Sequence, residues 1–420
     1  MNREKVQTLA LEALIKNNGG TIVLSPGTGK SKVAIDFMKH VNAKRVLITS
    51  PRTNLIESWK EQLNEWYPRW EEEVSITMAN VQTTYKWSED IIAEFDVVIM
   101  DEIHTMATEE YGNIAVKARN VNTIRVGLTG TPDDKKAAKQ AFYIFNCPIV
   151  YKYLDSAKDG IINKRKYIVY EHELNDDFKI EVKTKNKQWY SGELKQYQYI
   201  QSRIEDAEND IKDILGIPQD TEEYVNYFGW SKRWYWGKDP NITTEEKQAG
   251  GKYMRAISAR TDLLWNLNST RVIAGAVSNY ITNELKSKVL VFSERTEQAS
   301  KISEYTVHSK NEDKVNADTI AKFNSGDIKQ IGSCYSLTLG LNLKDAKYAI
   351  MESFNGSDVQ FKQRSGRVDR LPVTEDAIVI FIVVKDTQSE TWFKQAVKFS
   401  DEDDVVYVNT YEQLIKKLNE

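Results

Sequence analysis

The chain has 420 residues, 41% hydrophobic and 28% charged, with a formal net charge of −4 and a pI near 5.9, long enough for roughly two or three domains with separate cores. That balance excludes a protein that coats nucleic acid with an all-round basic surface, so any nucleic-acid site must be a local cleft. No apolar run reaches the ~18 residues of a membrane span, the N-terminal MNREKVQTLA has no signal-like apolar stretch, and a cytoplasmic setting is expected. Cys147, Cys334 and four scattered histidines give neither zinc-ligand spacing nor a disulfide framework.

In chain order, TIVLS (21 to 25) is a short β-branched run stopped by Pro26 and Gly27, and KSKVAIDFMKHV (30 to 41) carries Val33, Ile35, Phe37 and Met38 at largely helical spacing. A strand, a loop and a helix follow one another there. Such a loop suits a phosphate cradle: its backbone N–H groups and the helix N-terminus would hold anions, Lys30 would reach the β- and γ-phosphates, and the Ser31 hydroxyl would ligate Mg²⁺, the alternative being an ordinary strand-to-helix turn. Gly27 and Gly29 supply backbone freedom around Thr28, but Leu24 stands where the common G-x-x-x-x-G-K-[ST] pattern has its first glycine.

Next, EFDVVIMDEIHTM (94 to 106) reads as a buried parallel strand that delivers two carboxylates, Asp101 and Glu102, and a histidine at its C-terminal end. Asp101 suits the metal shell and Glu102 the orientation of an attacking water. Paired acids are common by chance in so charged a chain; behind a phosphate loop they are specific, because phosphoryl transfer needs cradle and metal ligand together.

Further along, SGELKQYQYIQSRIEDAENDIKDILG (191 to 216) predicts one long charged helix, and YMRAISARTDLLWNLNSTRVIAGAVSNYI (253 to 281) one or two more. Between them YVNYFGWSKRWYW (224 to 236) is seven-thirteenths aromatic, with Lys232 and Arg233 inside it. Trp230, Trp234 and Trp236 are therefore candidates for a surface that stacks on or wedges apart nucleic-acid bases, the alternative being a small aromatic core that pins the helices. KVLVFSERTEQASKI (288 to 302) repeats the strand, turn and helix pattern, and in FKQRSGRVDRL (361 to 371) helical spacing places Gln363, Arg367 and Arg370 on one face. The C-terminal SDEDDVVYVNTYEQLIKKLNE holds an acidic cluster and a short amphipathic helix, read as a packing appendage.

LSPGTGKS, DEIH, GLTGTP (127 to 132) and QRSGRVDR (363 to 370), in that order, resemble motifs I, II, III and VI of superfamily-two helicases and translocases of the DExH kind. Leucine at the start of the loop resembles the branch containing phage branch-migration helicases and DNA-repair translocases. The resemblance implies an α/β fold of two tandem RecA-like parallel-sheet lobes with a helical insertion: lobe 1 over 1–153, a linker strand and aromatic-rich insertion over 154–287, lobe 2 over 288–400 and an appendage over 401–420. It further implies that Gln7 contacts adenine and that Ser50, Pro51 and Arg52 (motif Ia), Ser293 and Arg295 (motif IV) and Thr338 (motif V) touch the nucleic-acid strand. Gly340 would lie near the nucleotide, and Asn342 stands where many relatives carry aspartate. Thr129 and Thr131 would couple the two sites. Arg367 and Arg370, with Gln363, would reach across the cleft to the γ-phosphoryl group.

The implied activity is ATP hydrolysis with Mg²⁺ coupled to movement on DNA, single-stranded, forked or branched, in replication, recombination or repair. Accessory replication or recombination proteins are expected partners, and the host cytoplasm is the setting if the chain is phage-encoded. The alternatives are an RNA-remodelling DExH enzyme and a DNA-stimulated ATPase that serves as the motor subunit of a larger complex without separating strands.

Overall fold

The computed structural model describes residues 2–51, 53–130, 146–153, 159–183, 187–221, 224–334, 343–368, 371, 374–397 and 405–420. Two wholly parallel sheets organise it. The first takes β1 (Gly20–Val23), β2 (Arg45–Ser50), β3 (Ser75–Asn80), β4 (Val97–Asp101), β5 (Ile124–Thr129) and β6 (Ile149–Lys152) in the order β3-β2-β4-β5-β1-β6. The second takes β7 (Arg165–His172), β10 (Lys288–Phe292), β11 (Thr306–Val307), β12 (Gln330–Ser333), β13 (Ala346–Met351), β14 (Ala377–Val384) and β15 (Val405–Val408) in the order β11-β12-β10-β13-β14-β7-β15. Between β7 and β10 in sequence, β8 (Lys179–Lys183) and β9 (Gln188–Gly192) form a separate antiparallel hairpin.

Side-chain alternation explains why both sheets are covered on two faces. In the first, Val46, Ile48, Val97 and Ile99 join one core cluster with Phe37 of the Lys30–His40 helix and Leu14 of the Arg3–Asn17 helix, while Leu47, Val98 and Met100 join another. In the second, Leu290, Phe292, Val379 and Phe381 face one cluster, and Val289, Val291, Ile380 and Ile382 the other. Strands buried on both faces need continuous apolar runs, and VVIM and AIVIFIVV are such runs.

The stretch read as linker and insertion divides. β7 is an interior strand of the second sheet, in register with β14 from Arg165↔Ala377 to His172↔Val384, and the Asn268–Asn283 helix buries Ala274, Val277 and Ile281 beneath that sheet. The C-terminal segment is sewn into the same lobe: β15 pairs with β7, and Leu414 and Leu418 of the Tyr411–Leu418 helix enter the core. What stands apart is the hairpin and three helices, Glu193–Leu215, Tyr227–Trp236 and Thr244–Leu264. Glu193 roots them: its buried Oε1 accepts from the backbone N–H groups of Asn268 (2.6 Å) and Ser269 (3.2 Å), capping the helix that packs under the second sheet.

The aromatic helix Tyr227–Trp236 corrects the three-tryptophan projection. Trp234 is 2% exposed and forms a small core with Ile211 and Ala249; Trp230, half-buried, lies beside it at 5.6 Å between ring centroids; Trp236 is 58% exposed. Positions 230 and 234 are one helical turn apart on the packed side, whereas 236 is rotated away from it. The packing is close because Gly250 and Gly251 lie opposite: a Cβ on Gly250 would stand 3.0 Å from the Ser231 carbonyl oxygen.

Truncating Trp234 to alanine is expected to destabilise the insertion by ~3–5 kcal/mol, and Trp236→Ala by less than about 0.5 kcal/mol, measurable by thermal unfolding of the two variants side by side. A second expectation concerns Glu352, buried at the end of β13 with Ser353 Oγ donating to it at 2.7 Å and Thr270 Oγ1 at 3.2 Å. Burial pushes its carboxyl up to about 7, against the opposing pull of the Ser353, Ser293 and Thr270 hydroxyls and Arg271. The folded chain therefore holds a proton here that the unfolded chain loses near its ordinary 4.5, and stability falls as pH rises between those two values. Glu352→Gln should raise the melting temperature by about a few °C at pH 8 and leave it nearly unchanged at pH 4, a comparison that differential scanning calorimetry makes directly.

Candidate nucleotide cleft between the lobes

The phosphate loop explains its own leucine. Leu24 prolongs β1 by one residue, with its N–H donating to the Thr129 carbonyl at 3.0 Å, and its side chain is fully buried in the core of the first lobe. Its backbone does not adopt positive φ, so nothing there requires glycine. Gly27 (φ 80°) and Gly29 (φ 92°) carry the left-handed turns. Gly29 is the N-cap of the Lys30–His40 helix with no side-chain cap, and no acidic residue lies in the first turn. The loop is braced by Thr28, whose Oγ1 donates to the Ser25 carbonyl at 2.6 Å, and by Gln7, whose Nε2 donates to the Thr28 carbonyl at 2.8 Å. A Cβ on Gly29 would lie 2.3 Å from that same Gln7 nitrogen.

At the end of β4, Asp101 is 7% exposed and both its oxygens are engaged: Oδ1 accepts from the Glu102 N–H and Oδ2 from the Trp59 indole N–H, each at 3.0 Å. Glu102 takes a left-handed backbone (φ 49°, ψ 48°), turning the chain into a 3₁₀ turn over Ile103–Met106 and setting its carboxylate 3.9 Å from Lys30 Nζ. Burial pushes Asp101 up to about 6, helped by the neighbouring Glu102 charge and opposed by Lys30 and Trp59. Burial acts to raise Glu102 as well, but Lys30, then His104 and Arg367, hold it below the ordinary carboxylate range. Two carboxylates drawn out of water beside a single ammonium make a site short of positive charge. Together with the Ser31 hydroxyl on the same cleft, its oxygen donors fit a hard divalent cation such as Mg²⁺.

His104 was not among the site residues drawn from the sequence, although DEIH contains it. It is the hub of the site. Its Nδ1 lies 2.9 Å from Thr129 Oγ1 and 3.4 Å from Glu102 Oε2, and its Nε2 lies 3.4 Å from Gln363 Nε2, on the other lobe. Nδ1 thus faces two groups of its own lobe, and Nε2 faces the amide of Gln363 on the other.

Gln363 belongs to the Asp358–Ser365 helix. The expected single helix face is shortened: the helix stops at Ser365, Arg367 follows in a turn whose N–H donates to the Arg364 carbonyl at 3.1 Å, and Arg370 lies outside the described residues. Gln363 and Arg367 still line one cleft of about 870 Å³ with Gln7, Lys30, Ser31 and Glu102. Behind them Phe361, Arg364 and Val368 are buried. Arg364, 2% exposed, pairs with fully buried Glu294 at 2.9 Å and anchors this segment to the end of β10.

The proposed strand-contacting residues are placed less openly. Ser50 and Ser293 close β2 and follow β10 with side chains 1% and 0% exposed, so neither presents a free hydroxyl to a strand. The Pro51 carbonyl accepts from Gln82 at 3.1 Å, and Arg295 pairs with Asp262 and lies 5.2 Å over the Trp265 ring. Arg52, Thr131, Thr338, Gly340 and Asn342 lie outside the described residues.

Two family models match this chain: the type III restriction enzyme res subunit over residues 1–134 and the helicase conserved C-terminal domain over residues 273–372. A DNA 3'-5' translocase, XPB2 of Sulfurisphaera tokodaii, is 25% identical over 393 residues, which is 91% of this chain and 81% of that protein. Among solved structures, S. cerevisiae Dbp5 bound to RNA and ADP BeF3 superposes with a TM-score of 0.58 at 13% identity, covering 99% of this chain and 93% of that one. The Hef helicase domain of Pyrococcus furiosus does so with 0.52 at 13% identity, covering 93% and 96%. Those two likenesses concern the fold, two tandem RecA-like lobes. With one family matched on each lobe and the phosphate loop, acid pair and basic segment meeting in a single cleft, the chain belongs to the superfamily-two helicases and translocases.

Proposed function

We propose that the chain is an ATP-driven motor that moves on DNA, with forked or branched DNA as its preferred substrate. The observation that carries this reading is the chain of side chains from Lys30 through Glu102 and His104 to Gln363, which joins the two lobes across the candidate nucleotide cleft. DNA, and movement in the 3'-5' direction, are taken from the translocase relative. Lobe 1 would end near residue 153; the second lobe would include β7, the Asn268–Asn283 helix and the C-terminal segment, leaving the insertion narrower than 154–287.

The triphosphate would lie on the Gly27–Ser31 loop, held by its N–H groups and Lys30, with Gln7 at the adenine end. Ser31 and Asp101 would hold Mg²⁺, which when bound supplies positive charge to the phosphate oxygens. Glu102, kept ionised by Lys30, His104 and Arg367, would orient the attacking water and accept its proton. Arg367, joined by Arg370 as the resemblance implies, would neutralise charge that develops in the transition state. Because those arginines come from the other lobe, hydrolysis would depend on closure. Strand contacts at Pro51, Arg52, Arg295 and Thr338 would turn closure into a step along one strand, and the phosphate contacts would be indifferent to sequence. The translocase relative favours a second version of this reading, a motor that moves on DNA without separating strands.

Lys30→Ala should weaken nucleotide binding and abolish hydrolysis, whereas Glu102→Gln should abolish hydrolysis with the nucleotide still bound. Binding of a fluorescent ATP analogue measured beside phosphate release separates the two, and near-normal turnover in either variant would falsify the assignment.

Arg367→Ala should lower kcat by ~10³ with nucleotide affinity within a few-fold of the parent, as for removal of a transition-state contact. His104→Ala and Gln363→Ala should instead uncouple: hydrolysis without DNA persists, but its stimulation by DNA drops. Steady-state ATPase with and without single-stranded, forked and RNA effectors reads both, and unwinding of a labelled fork distinguishes a helicase from a pure translocase.

A further inference from the structure

We infer that the outward face of the aromatic helix Tyr227–Trp236 is a second binding surface for single-stranded nucleic acid, separate from the cleft between the lobes. The inference rests on the reading of the chain as a motor on DNA. Facing away from buried Ser231 and Trp234, Phe228, Lys232 and Trp236 follow one another at intervals of four residues, and Tyr235 lies beside them. Phe228 is 50% exposed, Tyr235 43% and Trp236 58%, and the Tyr235 and Trp236 rings are neighbours at 5.8 Å. Four residues of helix advance ~6 Å, so one aromatic ring stands about a turn to either side of the Lys232 ammonium.

The core of the insertion does not need Phe228 or Trp236: Ile211, Trp234 and Ala249 close it, with the helices drawn together at Gly250 and Gly251, where one edge of the Tyr235 ring packs and its other side stays open to water. Large aromatic faces left in water on one short helix are a binding surface or an aggregation hazard. Charge decides the occupant. Lys232 and Lys238 are exposed and make no ion pair among the described residues, while Arg233 is partnered by Asp239 at 3.4 Å and lies 5.7 Å over the Trp230 ring. An apolar protein groove or lipid would have to desolvate Lys232 in the middle of the stripe. Bases stacked on the rings with phosphates drawn to Lys232 and Lys238 leave no charge stranded, and on a chain of net charge −4 such a basic, aromatic island is a local feature.

The test uses the full chain and a fluorescein-labelled thymidine oligonucleotide read by anisotropy. The triple variant Phe228→Ala/Tyr235→Ala/Trp236→Ala should bind about tenfold or more weakly, since each stacked base contributes on the order of one such factor. Lys232→Glu should weaken binding and flatten its dependence on salt, and Trp236→Phe should restore most of what Trp236→Ala loses. Unchanged affinity in the triple variant, with the parent protein binding normally, would overturn this surface and leave the motor reading standing. A melting temperature several degrees lower in that variant would assign the rings to packing, and loss of self-association without loss of DNA binding would assign them to a second copy of the chain; either overturns the proposal. If the parent protein neither binds the oligonucleotide nor has its ATPase stimulated by any DNA, the motor reading fails first.

Discussion

The structure turns on three charges drawn out of water where the first sheet ends: Lys30, Asp101 and Glu102. Burying them is costly, and one cation cannot balance two carboxylates. Asp101 responds by being pushed up to about 6, and Glu102 stays ionised because Lys30, His104 and Arg367 lie near it. Of these, Arg367 belongs to the second lobe. The first lobe thus sets one ammonium against two carboxylates at this point, and Arg367 of the second lobe adds positive charge beside Glu102. A loose Lys30 to Glu102 separation of 3.9 Å suits that state, since the ammonium is not locked into a close pair and remains available to phosphate.

His104 converts this electrostatic need into a mechanical link. Its two ring nitrogens face different parts of the molecule: Nδ1 faces Thr129 at the end of β5, and Nε2 faces Gln363 across the cleft. On the proposed reading, an imidazole held at both edges would report a change at Glu102 or Thr129 to the opposite lobe through a single hydrogen bond. The bond is useful only if Gln363 is itself held firmly, and the buried Arg364–Glu294 pair does that by tying its helix to β10. Removing one partner of such a pair strands a charge in the core, so the link between the lobes is built on an interaction that cannot easily slip.

Much of this was legible in the sequence because it is local. Apolar runs ending in functional residues, VVIM before Asp101 and TIV before the phosphate loop, give parallel strands whose C-terminal ends carry chemistry. Other parts depend on partners far away in the chain. The indole N–H of Trp59, in the Thr53–Trp66 helix, holds Asp101, 42 residues on. Arg364 stands between Gln363 and Arg367 in one basic motif, and only its burial with Phe361 and Val368 shows that it belongs to the inner face while Gln363 and Arg367 take the outer one. β7 looked like a linker because a single strand carries no mark of the sheet it joins; its place between β14 and β15 is fixed by pairing with segments more than 200 residues later.

The aromatic insertion shows where composition stops being informative. Seven aromatic residues in thirteen satisfy both a stacking surface and a hydrophobic core, and nothing in their number separates the two. Helical geometry separates them. The turn spacing that puts Trp230 and Trp234 on the packed side puts Phe228, Lys232 and Trp236 on the free side, so one short helix holds both a core and a surface, divided by rotation rather than by residue type. The packed side must be rigid for the free side to act on anything, and the close approach at Gly250 and Gly251, with Glu193 capping the helix under the second sheet, ties that rigidity to the lobe carrying Arg367. On the proposed reading, a movement of that lobe over a bound nucleotide would reach the insertion through the Glu193 root.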